Sequence, residues 1–336
     1  MKKIFLISLL ATALFTSCSD EVINTLDGNT IRFENAFVEQ PETRATDLNT
    51  NNLEAFRVYG WMTNSQNQTA NIFDNVEVSK NGAGVWTYDG GGRYWFGDTK
   101  YEFLAFAPSF DVTYTLAADH KSLTFTNSGD EDFIFAAANR NIGGKVPTSV
   151  DAVDLSFNHL LAKVVIQFKN EFSEDDVTLR VSNLKLTGLA KTADLDLATT
   201  TWATPTDKTL VLYPGFPSEK INRNVPDTLI AAGKTANTAN TEHFYLIPEN
   251  INAEAYRLNF EVTVLQGEKG QEIQIGKYHH SVAFDKMQFE MGKQYRVLAK
   301  LNSSNVNPEA EIKPITFTVE VLPWGKDIES EINIGE

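Results

Sequence analysis

Apolar and polar residues alternate with a period of two over most of this sequence. Residues 56–61, 101–106, 162–168 and 256–265 show the pattern and are rich in aromatic and β-branched side chains, which favour extended backbone. Asp, Asn, Ser and Gly separate consecutive segments, as is typical of turns. Few stretches carry helical periodicity beyond two turns. The chain is therefore predicted to be all-β and to fold into antiparallel β-sandwiches.

The length of 336 residues and the single cysteine limit the architecture. Two domains are expected, each large enough to bury a core of its own. A disulfide framework is excluded, so packed sheets must stabilise the chain. We place the domain boundary near Ala152, where a second series of strands begins at residues 153–157, with residues 143–144 as the alternative. Residues 45–151 would form the first sandwich, and residues 152–336 the second sandwich with a short C-terminal tail.

The N-terminus has the features of an exported lipoprotein. Lys2 and Lys3 precede an apolar run at residues 4–15, which is typical of a secretory signal and too short to span a bilayer. Cys18 occupies the position of the lipidated cysteine in a bacterial lipoprotein signal. We predict that residues 1–17 are removed and that Cys18 carries the lipid, such as palmitate. The acidic residues that follow resemble the signal that sends Bacteroidota lipoproteins to the surface of the outer membrane.

The next segment joins a strand to an exposed linker. Ile31 and Phe33 lie on one face of an alternating stretch within residues 30–38. The linker that follows is polar and contains a proline, which indicates an irregular exposed connection. This linker carries the Arg44–Ala45 bond, which a trypsin-like protease would cut. The sequence thus places a sheet-competent strand directly upstream of a protease-sensitive bond.

Charge and motif content exclude several classes of function. The formal charge of −15 repels phosphate backbones, so nucleic acid is not an expected partner. The sequence lacks a G-x-S-x-G elbow, an H-E-x-x-H motif and a G-x-x-x-x-G-K phosphate loop. No catalytic residue, cofactor or metal ion is predicted, and we interpret the chain as a non-enzyme.

We assign no catalytic or metal-binding role to the remaining polar residues, although one of them lies in a modification signal. His279 and His280 would point to opposite faces of a strand and could not share a metal ion, so we interpret them as surface imidazoles. His159 is expected to form hydrogen bonds within a turn or the core. The acidic residues 130–132 are predicted to form a solvated loop rather than a Ca²⁺ site. Thr228 lies in a triplet that resembles the O-glycosylation signal of Bacteroidota secreted proteins.

Six motifs occur in order along nearly the whole chain. They are the lipoprotein signal ending in Ser17-Cys18, the linker at residues 41–46, the aromatic segments 94–96 and 101–108, the stretch 153–163, and the closing segment 317–324. Together they resemble the fimbrillin family of the Bacteroidota type V pilus system, which comprises FimA-like and Mfa-like pilins. The resemblance implies two transthyretin-like β-sandwich domains in tandem and a structural subunit of an adhesive surface fimbria.

The resemblance also implies assembly by strand exchange. In the precursor, residues 30–38 would complete the first sandwich as its first strand. A trypsin-like, arginine-specific surface protease would cut between Arg44 and Ala45, and the segment 18–44 would depart with its strand. A strand from another pilin subunit would then fill the groove by β-augmentation. The implied partners are other subunits, the protease and the outer membrane, and the mature location is the pilus.

The sequence leaves two questions open. The C-terminal tail, residues 325–336, is short for an independent donor strand, so either residues 315–322 swing out as donor or the subunit receives a strand and gives none. The second question is function, because two rival interpretations remain. One is a surface glycan-binding lipoprotein that stacks sugars on Trp61, Trp86 and Trp95. The other is a static structural lipoprotein that is never cleaved.

We predict that a limiting dose of trypsin cuts the signal-free precursor first between Arg44 and Ala45. Mapping the new N-terminus while oligomers are followed by electrophoresis checks this prediction. SDS-resistant ladders after the cut would indicate strand exchange, and a cut without self-assembly would indicate a tip or anchor subunit. Resistance of this bond while other sites yield would contradict the activation mechanism.

Overall fold

The structure is a computed structural model that describes residues 28–38, 48–145, 149–212, 228–237, 243–249, 256–268, 270–283, 288–310, 315 and 317–324. These residues form strands and one short 3-10 turn, Pro308–Ala310, with no α-helix among them. The prediction of an all-β chain is therefore confirmed. No helix in this described part is long and apolar enough to cross a bilayer. The strands are β1 (Phe33–Val38), β2 (Ala55–Asn64), β3 (Thr69–Lys80), β4 (Trp86–Tyr88), β5 (Thr99–Ala107), β6 (Thr113–Leu116), β7 (Ser122–Thr126), β8 (Ile134–Ile142), β9 (Val153–His159), β10 (Ala162–Asn170), β11 (Val177–Leu189), β12 (Thr192–Asp196), β13 (Thr201–Trp202), β14 (Leu210–Leu212), β15 (Thr228–Ala231), β16 (Thr235–Asn237), β17 (Phe244–Leu246), β18 (Arg257–Gln266), β19 (Ile273–Ala283), β20 (Lys293–Leu301) and β21 (Phe317–Pro323).

Seven strands form the first sheet, in the order β1-β9-β8-β5-β2-β3-β4. The inward side chains of this sheet form the first core, which includes Phe33, Phe56, Phe73, Trp95, Phe103, Leu155 and Phe157. Strand β9 alternates strictly between buried and exposed residues and pairs with β1 in parallel and with β8 antiparallel. The sequence analysis assigned this strand to the second half of the chain. Its apolar face completes the first core, so β9 lies with the first sheet, and the domain boundary near Ala152 stays a prediction.

Two further sheets face each other around the second core. One has the order β16-β10-β20-β21, with β17 also paired to β10, and the other has the order β14-β11-β18-β19, with β15 also paired to β11. The second core includes Val164, Ile166, Leu179, Val181, Leu258, Phe260, Val262 and Val297. Strands β10 and β20 run parallel, as β1 and β9 do, so the two sheets that contain these pairs are mixed, whereas the sheet of β14, β11, β18 and β19 is antiparallel throughout. Inward-facing β-branched and aromatic residues on both sheets explain the layering.

A fourth sheet, in the order β13-β12-β7-β6, draws strands from both halves of the sequence. Its central pairing joins β7 to β12 from Thr192↔Thr126 to Asp196↔Ser122. Beneath it lies a third set of buried side chains, here called the middle cluster: Phe106, Leu123, Phe125, Phe133, Phe135, Leu160, Leu161, Ala190, Ala193, Leu195, Leu197, Tyr245, Ile247 and Trp324. Backbone pairing and apolar burial therefore connect the two halves, which local sequence patterns did not predict.

Two side chains that the sequence analysis placed in solvent are buried. The carboxylate of Asp132 and the imidazole of His159 are each 2% exposed, and their Oδ2 and Nδ1 atoms lie 2.8 Å apart. His280 is 7% exposed, stacks on Phe260 and donates from Nε2 to the carbonyl oxygen of Val306 at 3.0 Å. Burial lowers the pKa of His280. The predicted position of His159 in a turn or the core is correct, whereas Asp132 is not in a solvated loop.

Trp324 connects the end of β21 to the middle cluster. Its indole is 1% exposed and stacks on the rings of His159 and Tyr245, with centroid separations of 4.2 and 5.7 Å. Strand β21 pairs with β20 alone among the described strands. Phe317 and Val319 of β21 pack against the second core, and the indole of Trp324 adds a contact with the middle cluster.

We expect Trp324→Ala to lower the free energy of unfolding by about 3–5 kcal/mol, the usual cost of deleting a buried tryptophan side chain. Val321 lies on β21, three residues before Trp324, and is 55% exposed, so Val321→Ala should change stability by no more than about 0.5 kcal/mol. Denaturant unfolding followed by circular dichroism measures both. Equal effects of the two substitutions would show that Trp324 does not hold the strand.

Candidate functional site

The structure describes only part of the predicted functional set. Ile31 and Phe33 are buried, with 0% and 2% exposure, on the face that their alternation predicts. Thr228 is the first residue of β15, and its backbone pairs with Val181 of β11; its glycosylation stays a prediction. The predicted sites that lie outside the described residues are Cys18, Arg44 and Ala45.

The candidate site among the described residues is the groove that holds β1 and the residues just before it, here called the seat of β1. Phe33 through Val38 pair in parallel with Val153 through Phe157 of β9. A bulge interrupts the register at Asn35, which has a φ of 50°. This extra residue inverts the alternation, so that Ala36 and Val38 are buried while Phe37 is half-exposed. Strand β1 therefore still presents apolar side chains to the first core on both sides of the bulge.

The segment just before β1 is also paired on its other side. The N–H of Ile31 donates to the carbonyl oxygen of Arg93 at 2.7 Å, and the N–H of Trp95 donates to that of Asn29 at 3.0 Å. An antiparallel bridge between Thr30 and Tyr94 lies between these two bonds. The N-terminal segment thus lies between β9 on one side and residues 93–95 on the other. Residues 28–32 therefore have hydrogen-bonded partners on two sides, whereas β1 itself pairs with β9 alone among the described strands.

Phe33 fills an aromatic pocket at the centre of this seat. Four aromatic rings surround it with centroid separations between 5.4 and 6.2 Å, all in edge-to-face geometry: Phe56, Phe73, Tyr88 and Phe103. A Cβ atom at Gly60 would lie 3.0 Å from the rings of both Phe73 and Phe103. Glycine at this position therefore leaves the space in which the pocket closes on Phe33.

Tyr88 and Arg93 hold the strand at its N-terminal end. The hydroxyl of Tyr88 donates to the carbonyl oxygen of Ile31 at 2.7 Å, and burial raises the pKa of this phenol, so it remains a donor at neutral pH. The guanidinium of Arg93 lies 5.1 Å from the Tyr88 ring and 4.5 Å from the Phe73 ring. Its Nε donates to the carbonyl oxygen of Ile72 at 2.6 Å. These contacts hold Arg93 in place, and its backbone carbonyl oxygen accepts the hydrogen bond from the N–H of Ile31.

Strand β9 depends on β1 for most of its pairing. It bonds to β8 only where Ile134 and Phe135 meet His159 and Asn158. Its longer pairing, from Val153 to Phe157, is made to β1 alone. Removal of β1 would leave this part of β9 without a partner strand among the described residues and would open an apolar groove at the Phe33 pocket.

The described residues include neither a metal site nor the sugar-stacking platform that was considered from sequence. No group of three or more His, Cys, Asp or Glu side chains in this part of the chain could hold a metal ion. Trp95 and Trp61 are buried, at 0% and 7% exposure, and Trp86 is half-buried against the first core. The sugar-stacking platform that the sequence analysis considered on these three indoles is therefore absent.

Sequence reasoning found the strand but not the groups that hold it. Tyr88 and Arg93 drew no functional prediction, although the glycines at residues 90–92 indicated a tight turn between them. That turn returns the chain so that Arg93 and Tyr94 lie beside the N-terminal segment. The signal was therefore present, but the partner of the returning chain is more than fifty residues away in sequence.

We predict that Phe33→Ala lowers the free energy of unfolding of the signal-free precursor by about 3–5 kcal/mol, because it empties the aromatic pocket. Phe37 lies on the same strand but is 50% exposed, so Phe37→Ala should cost no more than about 0.5 kcal/mol. Chemical denaturation of both variants tests the prediction. A similar cost for the two phenylalanines would mean that the groove is not built around Phe33.

Comparison with known proteins places the chain in a family. A family model described as fimbrillin-like matches residues 43–324, a range that begins downstream of β1. A fimbrial protein from Bacteroides vulgatus has a TM-score of 0.61 at 17% identity, covering 88% of this chain and 99% of its own. A candidate cell adhesion protein from Bacteroides uniformis has a TM-score of 0.48 at 19% identity, covering 89% of this chain and 100% of its own. No curated protein matches the sequence. The structural likeness bears on the fold, and the family model, which spans most of the chain, shows that this protein belongs to the fimbrillin-like family.

Proposed function

We propose that this protein is a structural subunit of a surface pilus, assembled by protease-triggered β-strand exchange and supporting adhesion. The observation that carries the proposal is the seat of β1, an N-terminal strand that pairs with β9, follows a segment bonded to residues 93–95, and fills pockets of the first core. Membership of the fimbrillin-like family supports the pilus role. The B. vulgatus protein of similar fold is itself described as fimbrial.

The free energy gained by burying side chains in the seat of β1 is large enough to hold either β1 or a strand that replaces it. Fully burying a side chain of this kind contributes roughly 1.5–3 kcal/mol, and the apolar residues of the segment include Ile31, Phe33 and Val38. Without β1, the exposed N–H and C=O groups of β9 and the empty pocket would bind another extended segment with apolar residues at alternate positions. A subunit joint formed in this way needs no covalent bond.

Cleavage supplies the trigger in this proposal. Arg44 follows β1 along the chain, so a cut between Arg44 and Ala45 by an arginine-specific protease leaves β1 joined to the body by non-covalent contacts alone. Those contacts can then be replaced by a strand from another pilin subunit. Before cleavage, the covalent link gives β1 a high effective concentration at its own groove, which excludes competitors.

Export and anchoring complete the proposal. Residues 1–17 are the signal peptide, and lipid on Cys18 anchors the precursor at the outer face of the outer membrane until cleavage releases the body from its tether. After assembly the subunit belongs to the pilus. O-glycosylation at Thr228 is a modification that this route permits, since the chain passes through an extracytoplasmic compartment.

The position of β21 supports a receiving role for this subunit. Strand β21 is at the edge of its sheet, which favours release, but Trp324 at its end is buried in the middle cluster. Detaching the strand would expose that indole and leave its place empty. We therefore assign residues 315–322 to the body of the subunit rather than to the donor strand.

An engineered disulfide that joins β1 to β9 reversibly tests strand exchange. Glu34 and Asp154 face each other in register on β1 and β9, and both are exposed, so cysteines at these positions suit a disulfide. In the signal-free precursor carrying Glu34→Cys and Asp154→Cys, we expect protease to cut at Arg44 without assembly when the pair is oxidised. Reduction should restore assembly, measured by SDS-resistant ladders and electron microscopy.

The single substitution Glu34→Cys is the matched control and should assemble under both conditions. The exposed ion pairs that Glu34 and Asp154 make with Arg32 and Arg140 contribute little to stability. Assembly of the oxidised double variant at the rate of the reduced one would refute exchange at this groove. Failure of the reduced form to assemble after cleavage, with the wild type also inert, would favour the static lipoprotein.

A further inference from the structure

A second concave site lies beside the middle cluster, away from the β1 groove. It is a cleft of about 430 Å³ lined by residues 200–205, which include β13, and by residues 208, 248–249 and 288–291. None of its lining residues belongs to the first core. The volume is within the range of small-ligand sites, which reaches down to about 300 Å³.

Trp202 provides an aromatic wall that is held in one orientation. Its Nε1 donates to the carbonyl oxygen of Leu160 at 2.7 Å, and its ring packs on Phe125 with a centroid separation of 5.8 Å. The indole is half-buried and lines the cleft. A fixed ring loses little conformational entropy when a ligand stacks on it. Its π face suits the weakly positive C–H face of a pyranose ring.

The lining also carries hydrogen-bonding groups that are already positioned. Oε2 of Glu249 lies 2.6 Å from Nζ of Lys208, and the side chain of Glu249 is only 5% exposed. Its other oxygen accepts a hydrogen bond from the hydroxyl of Tyr256. A carboxylate has about four acceptor sites, so this one retains capacity for ligand hydroxyls. The ammonium of Lys208, whose side chain is 37% exposed, retains donors.

The hairpin that carries Trp202 is held in a strained conformation. Thr200 lines the cleft and has a φ of 51°, which is uncommon for a β-branched residue. The carboxylate of Asp196 accepts hydrogen bonds from the N–H groups of Ala198 and Thr199 at 2.9 and 2.8 Å. These bonds fix the turn. The indole and the threonine are therefore presented on a rigid element.

We propose that this cleft binds a neutral sugar residue in its pyranose form. An aromatic ring and a carboxylate–ammonium pair that line one cleft match a ligand with one C–H face and several hydroxyl groups. Glu249 and Glu290 outnumber Lys208 in the lining, so the local charge opposes sugars that carry a carboxylate or sulfate. The proposal gives the adhesive part of the proposed function a ligand class and does not depend on strand exchange.

Saturation-transfer NMR on the signal-free precursor tests the proposal. The probes are the methyl glycosides of glucose, galactose, mannose and N-acetylglucosamine, with methyl glycosides of glucuronic acid and N-acetylneuraminic acid as acidic comparisons. We expect at least one neutral glycoside to bind with no comparable signal from the acidic ones. Lys208→Met, which keeps the aliphatic stem, should weaken that binding about tenfold, as expected for loss of one charged hydrogen bond.

Two further variants complete the design. Lys100→Met removes an exposed lysine from β5 in the first sheet and should leave binding unchanged. Trp202→Phe should weaken binding while thermal unfolding shows that the protein is folded. Absence of binding by every neutral glycoside, preference for an acidic one, or equal affinity of wild type and Lys208→Met would each overturn the proposal. Assembly after cleavage should be unaffected by Lys208→Met, which separates this test from that of strand exchange.

Discussion

The pairing between β1 and β9 is the interaction on which the first half of the molecule depends. Buried backbone N–H and C=O groups must be hydrogen-bonded, and the long N-terminal part of β9 finds its partners on β1 alone. The same strand places Phe33 among four aromatic rings. A segment at the N-terminal end of the chain therefore completes both the hydrogen bonding and the packing of the core. That arrangement makes the segment necessary for this core, and in the proposed assembly a strand of the same pattern from another subunit takes its place.

The middle cluster imposes a second constraint, because it is built from both halves of the chain. The β7–β12 pairing and the stack of His159, Trp324 and Tyr245 place the end of β9 against the end of β21. His159 ends the strand that receives β1, and Trp324 follows the last strand described. The groove and the C-terminal edge thus share one packed junction. The proposed sugar cleft lies beside it, with Trp202 bonded to Leu160 of the same cluster.

Alternation of side chains located most of the long strands, and its failures have a physical cause. Strand β3 was not predicted, because Asn75 adopts a φ of 53° and the register with β2 shifts twice around Gly60. Each bulge inserts one residue and reverses the faces, so the period of two is lost although the backbone stays extended. The bulge at Asn35 has the same effect: the buried residues are Ile31 and Phe33 before it, and Ala36 and Val38 after it. Short strands such as β13 carry too few residues to show any period.

The sequence by itself determined that the chain is all-β, that Ile31 and Phe33 share a buried face, and that no familiar catalytic motif is present. These properties follow from the order of residue types along one segment. Only the tertiary structure decided that β9 belongs to the first sheet, that Asp132 is buried against His159, and that Arg93 and Tyr88 hold the N-terminal strand. Such pairings join segments far apart in the chain, and the choice of partner depends on which surfaces meet when the sheets pack, which no local pattern records.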